Sequence, residues 1–342
     1  MELVAARAVS MELAEPFTIS RGTDEIVEVV QIEVRHDGAT GFGEGAPIQR
    51  YDETASSAVA FVEEAEELLG DDPLDFEAAI RRIAERPGEH AAKAALDAAL
   101  YDLWGKLRRE PVWRALGLER KGPPTSWTIW LGSPDDMARR AERVGLRFKR
   151  LKLKLGGRDG QDVQRVQAVR EVAEVPLQVD VNEAWTADEA LEALPQLAEL
   201  GVEYCEQPLP AGDPEGPGLK RRSPLPIFVD EDCHTLADVA ACEERAHGIN
   251  IKLDKSGGIA EALAMVEAAR ERGLGLMLGC MAQSGLGIAA ATQIASLFDH
   301  VDLDGNLLLR HDPWPGVLLV DGVQLPSSDP GLGVRQAVPD PR

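Results

Sequence analysis

Residues 149–157 read KRLKLKLGG, with Leu151, Leu153 and Leu155 alternating with Arg150, Lys152 and Lys154. That is the period of a strand with one apolar face. A half-wet sheet would turn its lysines to water. The segments that follow, however, read as buried parallel strands joined by helices, where neither face is wet. Polar residues also close the later apolar runs: Asp180 and Asn182, Glu206, Asp230 and Glu231, Lys252, then Asp302 and Asp304. A solvated loop charge is the ordinary reading of any one of them. Acidic groups on three successive strands, with lysines on either side, strain that reading. Three carboxylates meeting at one point raise one another's pKa. A hard divalent cation relieves the conflict, and oxygen donors without His or Cys suit Mg²⁺. A lysine beside another lysine and a cation has its ammonium form disfavoured, which prepares a base near neutral pH. The lysines are therefore expected in a shared mouth, with the leucines packing outward.

The elements that must position these groups follow from periodicity. EIVEVVQIEVRHDGATGFGEG (25–45) holds two strand-like runs around the turn signal HDG. ETASSAVAFVEEAEELLG (53–70) is amphipathic and ends at Gly70, and the stretch 89–107 puts Ala92, Leu96, Ala99, Leu103 and Leu107 on one stripe. Strands first and helices after suggest an α+β unit, bounded by RKGPPTS at 120–126. Short apolar strands then alternate with helical stretches eight times between about 125 and 305. Eight βα units favour closure into a barrel, with the active site at the carboxyl ends of the strands. An open doubly wound sheet is the alternative, but no G-x-G-x-x-G follows the first strand. One short strand pattern after 312 is expected to return to the first domain.

The KLK run, the D-x-N at 180–182, EQP at 206–208, DE at 230–231 and NIKLDKSGG at 250–258 together resemble the enolase superfamily, muconate-lactonising subgroup. The resemblance spans nearly the whole chain, including GFGEGAP and AALDAALYDLWGKL. It implies an α/β fold: a modified TIM barrel, (β/α)₇β, over residues 123–311, with an α+β capping domain built from 1–122 and the returning tail 312–342. It implies one Mg²⁺ on Asp180, Glu206 and Asp230. Lys154 and Lys252 match the two acid/base lysines, and Lys152 the residue that helps hold the enolate oxygens. Glu231 is expected behind these groups, orienting a lysine or a ligand. Within the subgroup the chain is most similar to dipeptide epimerases. The D-x-D pair Asp302 and Asp304 shares one face of the eighth strand, and in that group it receives a dipeptide's α-ammonium. Thr128 on the first barrel strand joins the expected substrate contacts. Gln283 departs from relatives that carry an acid there.

The implied reaction inverts the α-carbon of a dipeptide's second residue by two-base proton transfer through an enediolate. N-acylamino acid racemase, o-succinylbenzoate synthase and muconate cycloisomerase are the rivals, and a barrel that only binds a ligand is a third reading. The loops FTISRGTDE and PIQRYDET match the two that close over the mouth. Asp24 stands where Ala-Glu-specific relatives carry an arginine, so a neutral or basic second residue is expected. Arg21 and Arg50 could still serve an acidic one.

The bulk numbers exclude other classes. Fifty-nine acidic against 36 basic residues give a formal charge of −23, which argues against nucleic-acid or anionic-membrane binding. Cys205, Cys233, Cys242 and Cys280 form no C-x-x-C pair and read as reduced thiols. No run of 18 apolar residues occurs and no cationic-then-apolar leader opens the chain. The expectation is a cytoplasmic homo-oligomer acting on a small dipeptide.

Overall fold

The structure is a computed structural model that describes residues 1–337. Residues 338–342, the end of the tail assigned above to the capping domain, lie outside the described residues. The chain opens with an antiparallel sheet of order β1-β2-β3: β1 (Glu2–Ile19), β2 (Gly22–His36) and β3 (Ala39–Gly45). The expected hairpin turns at Asp37 and Gly38, both left-handed. The sequence reading leaves β1 unassigned, because its alternation is diluted by Ala, Arg and Glu. Only its middle is cleanly two-faced, with Met11 and Leu13 buried around exposed Glu12.

Helices α1 (Ala55–Glu64) and α3 (His90–Arg108) pack on this sheet, α2 (Phe76–Ala84) packs on α3, and the short α4 (Val112–Ala115) follows. The single stripe expected on α3 is too narrow. Every residue from Ala91 to Leu103 is buried, because α3 lies between the sheet and the barrel. Its alanines allow this. Gly41, Gly43 and Gly45 on β3 face Ala99, Ala95 and Ala91, and a Cβ on Gly43 would stand 1.9 Å from the Ala95 carbonyl oxygen. Only glycine lets the two backbones approach so closely.

The second body alternates as expected. Its strands are β4 (Trp127–Ile129), β5 (Leu151–Lys154), β6 (Leu177–Asp180), β7 (Val202–Glu206), β8 (Ile227–Val229), β9 (Gly248–Ile251), β10 (Gly275–Leu278) and β11 (His300–Val301). Between them run α5 (Pro134–Val144), α6 (Asp162–Val172), α7 (Ala187–Glu199), α8 (Gly216–Arg222), α9 (Leu236–Arg245), α10 (Leu253–Ser256), α11 (Ile259–Glu271) and α12 (Gly285–Thr292). Neighbouring strands pair in parallel in sequence order from β4 to β11. A parallel bridge between Thr125 and Val301 joins the two ends, so the sheet closes. α8 is absent from the sequence reading, since Gly216-Pro217-Gly218 resembles a loop; Pro217 sits in its first turn, where no amide is needed. Leu151, Leu153 and Leu155 pack outward with Met137, Val166 and Val169 from the helices, which leaves Lys152 and Lys154 inside.

Buried carboxylates join the two bodies. Asp97 on α3 accepts the amides of Ile259 (2.6 Å) and Ala260 (3.3 Å), capping barrel helix α11. Glu44 on β3 accepts the Ser284 amide (2.7 Å) at the start of α12. In return Asp254 of the barrel accepts the Ala46 amide at 2.7 Å. The tail, with strands β12 (Leu318–Val320) and β13 (Val323–Leu325), touches both sides. The Leu332 amide donates to Asp102 at 2.8 Å, and Gln324 donates to the Leu303 carbonyl at 2.9 Å.

Burial pushes Glu44, Asp97 and Asp254 each up to about 7. A carboxyl whose folded pKa is raised binds more protons in the native state. Its stabilisation is complete below the unfolded value and is lost as pH rises through the folded one. The thermal midpoint should therefore fall between pH 6 and pH 8. Asp97→Asn, which keeps an acceptor for Ile259 without the charge, should flatten that slope in calorimetry. A midpoint that rises across this window, or a slope unchanged in the variant, contradicts the assignment.

Candidate active site

The barrel interior is built from alternate residues of each strand. Gln178, Tyr204, Phe228, Asn250 and Met277 form a lower layer, all buried. One pleat further on stand Lys154, Asp180, Glu206, Asp230 and Lys252, each less than 10% exposed. In the closed order β4 to β11, β5 and β9 are second and sixth of eight, so Lys154 and Lys252 face each other across the mouth. Asp180, Glu206 and Asp230 occupy the arc between them.

Every acid in this arc is met by an ammonium. Lys154 Nζ donates to Asp180 Oδ2 at 2.6 Å, and Lys252 Nζ to Asp230 Oδ2 at 2.8 Å. Lys152 reaches Glu206 at 2.7 Å, Asp302 at 2.8 Å and Asp180 at 3.3 Å. Asn250 Nδ2 donates to the other Glu206 oxygen at 2.7 Å. Burial works against ionised Asp180, but Lys154 and then Lys152 more than offset it, holding the carboxyl below its ordinary range. Glu206 moves the other way, raised by burial and by Asp180.

For Lys252 and Lys152 the surrounding carboxylates set the direction. Burial disfavours the ammonium of Lys252, yet Asp230 and Glu206 outweigh it and the pKa is raised. Lys152 is raised well above its ordinary value in the same way, by Asp302, Glu206 and Asp180 acting against burial. The neighbouring lysine counts for less than the carboxylates.

The D-x-D pair also differs from expectation. β11 ends at Val301, so Asp302 and Asp304 lie past the strand and do not form a symmetric face. Asp302 gives Oδ2 to Lys152, and its Oδ1 is buried without a hydrogen-bond partner among the described residues. Asp304 Oδ2 accepts the Thr128 amide at 2.7 Å and so extends the β4–β11 seam beyond the last strand residue. Burial, with Asp302 adding to it, lifts Asp304 to about 7.

Among the described residues Glu231 makes no hydrogen bond or ion pair with a lysine. It accepts Arg21 Nη1 at 2.8 Å, and burial with Asp230 and Asp180 pushes it up to about 7. Arg50 forks onto Glu183, with bonds of 3.1 and 2.9 Å. Asp24 is exposed on β2, where it pairs in the ladder with Phe17. Gln283 is buried, and its Oε1 has no partner among the described residues.

Sequence reasoning passed over several supporting groups. Lys255 is wholly buried, donates to the carbonyls of Asp230 (2.6 Å), Cys233 (2.7 Å) and Asn250 (3.0 Å), and meets Asp230 Oδ1 at 2.6 Å. Gln207 accepts the Asp230 amide at 2.9 Å and donates to Asp232 at 2.8 Å, tying β7 to β8. Asn250 stands two residues before Lys252, so period two alone would have found it.

The donor set fits Mg²⁺ in type and position: three buried carboxylates on adjacent strands, without His or Cys. Glu206 Oε2 and Asp230 Oδ1 are buried without an aligned hydrogen-bond donor among the described residues. Among those residues no three His, Cys, Asp or Glu close on one ligating point; the carboxylates are engaged by lysines instead.

Comparison with known proteins agrees with this geometry. Residues 136–338 match the family model described as enolase C-terminal domain-like. Residues 2–117 match the mandelate racemase/muconate lactonizing enzyme N-terminal domain. The chain belongs to this enolase-superfamily family. The family includes an L-Ala-D/L-Glu epimerase of Bacteroides thetaiotaomicron, 36% identical over 330 residues, covering 95% of this chain and 86% of that one. A dipeptide epimerase of Enterococcus faecalis V583, solved with Mg and L-Leu-L-Tyr, has a TM-score of 0.92 at 32% identity, covering 98% and 99% of the two chains. One from Methylococcus capsulatus, solved with Mg and L-Arg-D-Lys, has a TM-score of 0.89 at 32% identity, covering 98% and 99%.

Lys255→Met tests the structural cation. Removing one partner of a buried pair leaves Asp230 and three carbonyls without their donor, at a cost of about 3–5 kcal/mol. The expected result in urea titration is a loss of that size. A variant within about 0.5 kcal/mol of the parent, as for an ordinary surface change, would show that Lys255 does not carry this role.

Proposed function

We propose that this chain is a Mg²⁺-dependent dipeptide epimerase, inverting the α-carbon of the second residue of an L-Ala-D/L-Xaa-type dipeptide. The observation that carries the reading is the facing pair Lys154 and Lys252 across an arc of three buried carboxylates. Two bases on opposite sides of one carbon can remove a proton from one face and return one to the other. In this reading Asp180, Glu206 and Asp230 hold the ion. Bound there, Mg²⁺ would supply positive charge at the substrate carboxylate, where negative charge builds as the α-proton leaves. Lys152, fixed by three carboxylates, adds a donor to the same oxygens. Lys154 and Lys252 must each let go of an aspartate before accepting a proton, since a paired ammonium is no base. Asp302, with its free buried Oδ1, is the receptor for the dipeptide's α-ammonium. Asp304 and Thr128 frame that receptor from the seam.

Arg21 and Arg50 are engaged by Glu183 and Glu231, so neither is a free receptor for a glutamate side chain. With Asp24 on the adjoining hairpin, this favours a neutral or basic second residue. Residues 1–122 with the tail form the cap in this reading, and 123–311 the catalytic barrel. The four cysteines are unpaired, and no described helix is long and apolar enough to cross a membrane. Both support a cytoplasmic enzyme; homo-oligomeric assembly is part of the proposal through the family.

A dipeptide panel in D₂O with Mg²⁺, followed by mass for α-deuterium, tests this. Ala-Leu, Ala-Lys or Ala-Arg should exchange, and kcat/KM for Ala-Glu should trail by about tenfold, or 1.4 kcal/mol. Chelation should stop exchange and Mg²⁺ restore it. No exchange at any dipeptide, or faster exchange of N-succinyl amino acids, would overturn the assignment. A tenfold lead for Ala-Glu would overturn the specificity.

A further inference from the structure

Glu183 stands three residues beyond Asp180, in the loop that leaves β6. It and Asn182 both occupy the left-handed region, with φ of 69° and 47°, a conformation that non-glycine residues hold only when their surroundings impose it. Here the Glu183 amide donates to the Gln207 carbonyl at 2.9 Å, fixing the turn to the end of β7. The turn lifts the Glu183 carboxylate to the rim of the mouth, where it is 12% exposed.

Two separate loops from the N-terminal body converge on that carboxylate. From the β1–β2 connection, Arg21 Nη1 reaches Oε2 at 3.2 Å, and the same nitrogen donates to the Asn182 carbonyl at 3.1 Å and to Glu231 Oε1 at 2.8 Å. Ser20 Oγ donates to that carbonyl at 2.9 Å. From the 49–51 turn, Arg50 makes its two-pronged bond to Oε1 and Oε2. The Ala211 amide, from the loop after β7, adds a fourth donor at 2.9 Å. Both arginines remain over one-third exposed while the acid is sheltered. The fixed partner is the glutamate, and the arginines come to it. Tyr51, next to Arg50, lies edge-on to His234 at 4.2 Å between ring centroids, so the same turn also reaches the β8 rim.

We propose that Glu183 is a positioning residue that latches both loops over the barrel mouth as one unit. Arg21 and Arg50 do not touch each other's loop; they share one acceptor. Losing an arginine loosens its own loop alone, whereas losing the Glu183 charge weakens the hold on both, with Glu231 still engaging Arg21 at 2.8 Å. The latch rests on the epimerase reading only for its consequence in turnover. Closure over the mouth would exclude water and complete the substrate's walls.

The test is amide hydrogen exchange on the full-length protein with Mg²⁺ and without substrate, for peptides covering 17–24 and 47–53. Glu183→Gln should speed exchange in both segments, by about tenfold in 47–53 and by less in 17–24, where Glu231 still holds Arg21, with barrel peptides unchanged. Arg50→Lys should speed 47–53 alone, and Arg21→Lys 17–24 alone. Glu183→Asp, which keeps the charge on a shorter arm, should give a smaller change in both and covers the case of a poorly folded glutamine variant. For Ala-Leu, KM should rise in Glu183→Gln by more than kcat falls. If Glu183→Gln loosens one segment alone, or neither, the shared latch is wrong. If the wild type exchanges no dipeptide α-proton, the epimerase reading fails while the exchange data still decide the latch.

Discussion

The structure depends on balancing charge in a place without water. Asp180, Glu206, Asp230, Glu231, Asp302 and Asp304 are buried within one barrel mouth, against Lys152, Lys154, Lys252 and Lys255. An unpaired buried charge costs several kcal/mol, so each strand must deliver its group in register with its neighbours' groups. A slip of one residue would turn Lys152 and Lys154 outward among the helices and put leucines in the mouth. The parallel ladders that pair Lys154 with Asp180, and Asp180 with Glu206, are thus the framework of the site. Asp180, Glu206 and Asp230 would hold a divalent cation in such a balance once the ammonium groups released them.

The N-terminal body extends the same device. Asp97 and Glu44 satisfy backbone amides at helix starts across the junction of the two bodies, as a serine cap does within one chain segment, and Asp254 does the same for the Ala46 amide just past β3. The glycine-to-alanine contact between β3 and α3 lets the sheet sit close enough for Glu44 to reach α12. Arg21 and Arg50 then complete the contact at the rim. Packing, capping and closure therefore meet along one surface, and the loops over the mouth are held by the barrel itself.

Much of this was legible because it rests on period two and on order. Eight apolar runs with charges at their carboxyl ends gave the barrel strands and the arc of Asp180, Glu206 and Asp230. The direction of Lys152 and Lys154 followed from Leu151, Leu153 and Leu155. What stayed hidden depends on distance in sequence. Nothing near Arg21 announces Glu183 or Glu231, and nothing near Asp304 announces the Thr128 amide. β1 lacked clean alternation, and α8 begins with loop-like residues. The sign of the lysine shift was also out of reach, since it turns on how close Asp230 comes to Lys252. Spacing says only that they share a mouth.

The central claim is that Lys154 and Lys252 work on opposite faces of one carbon. The direct measurement is α-proton exchange in D₂O with each epimer of a turned-over dipeptide, given separately to Lys154→Ala and Lys252→Ala. Neither variant should interconvert the epimers, and each should retain exchange with one epimer, the two variants retaining opposite ones. Loss of at least about 10²-fold is expected for the silent epimer. Small, equal losses for both epimers in both variants would contradict a two-base site.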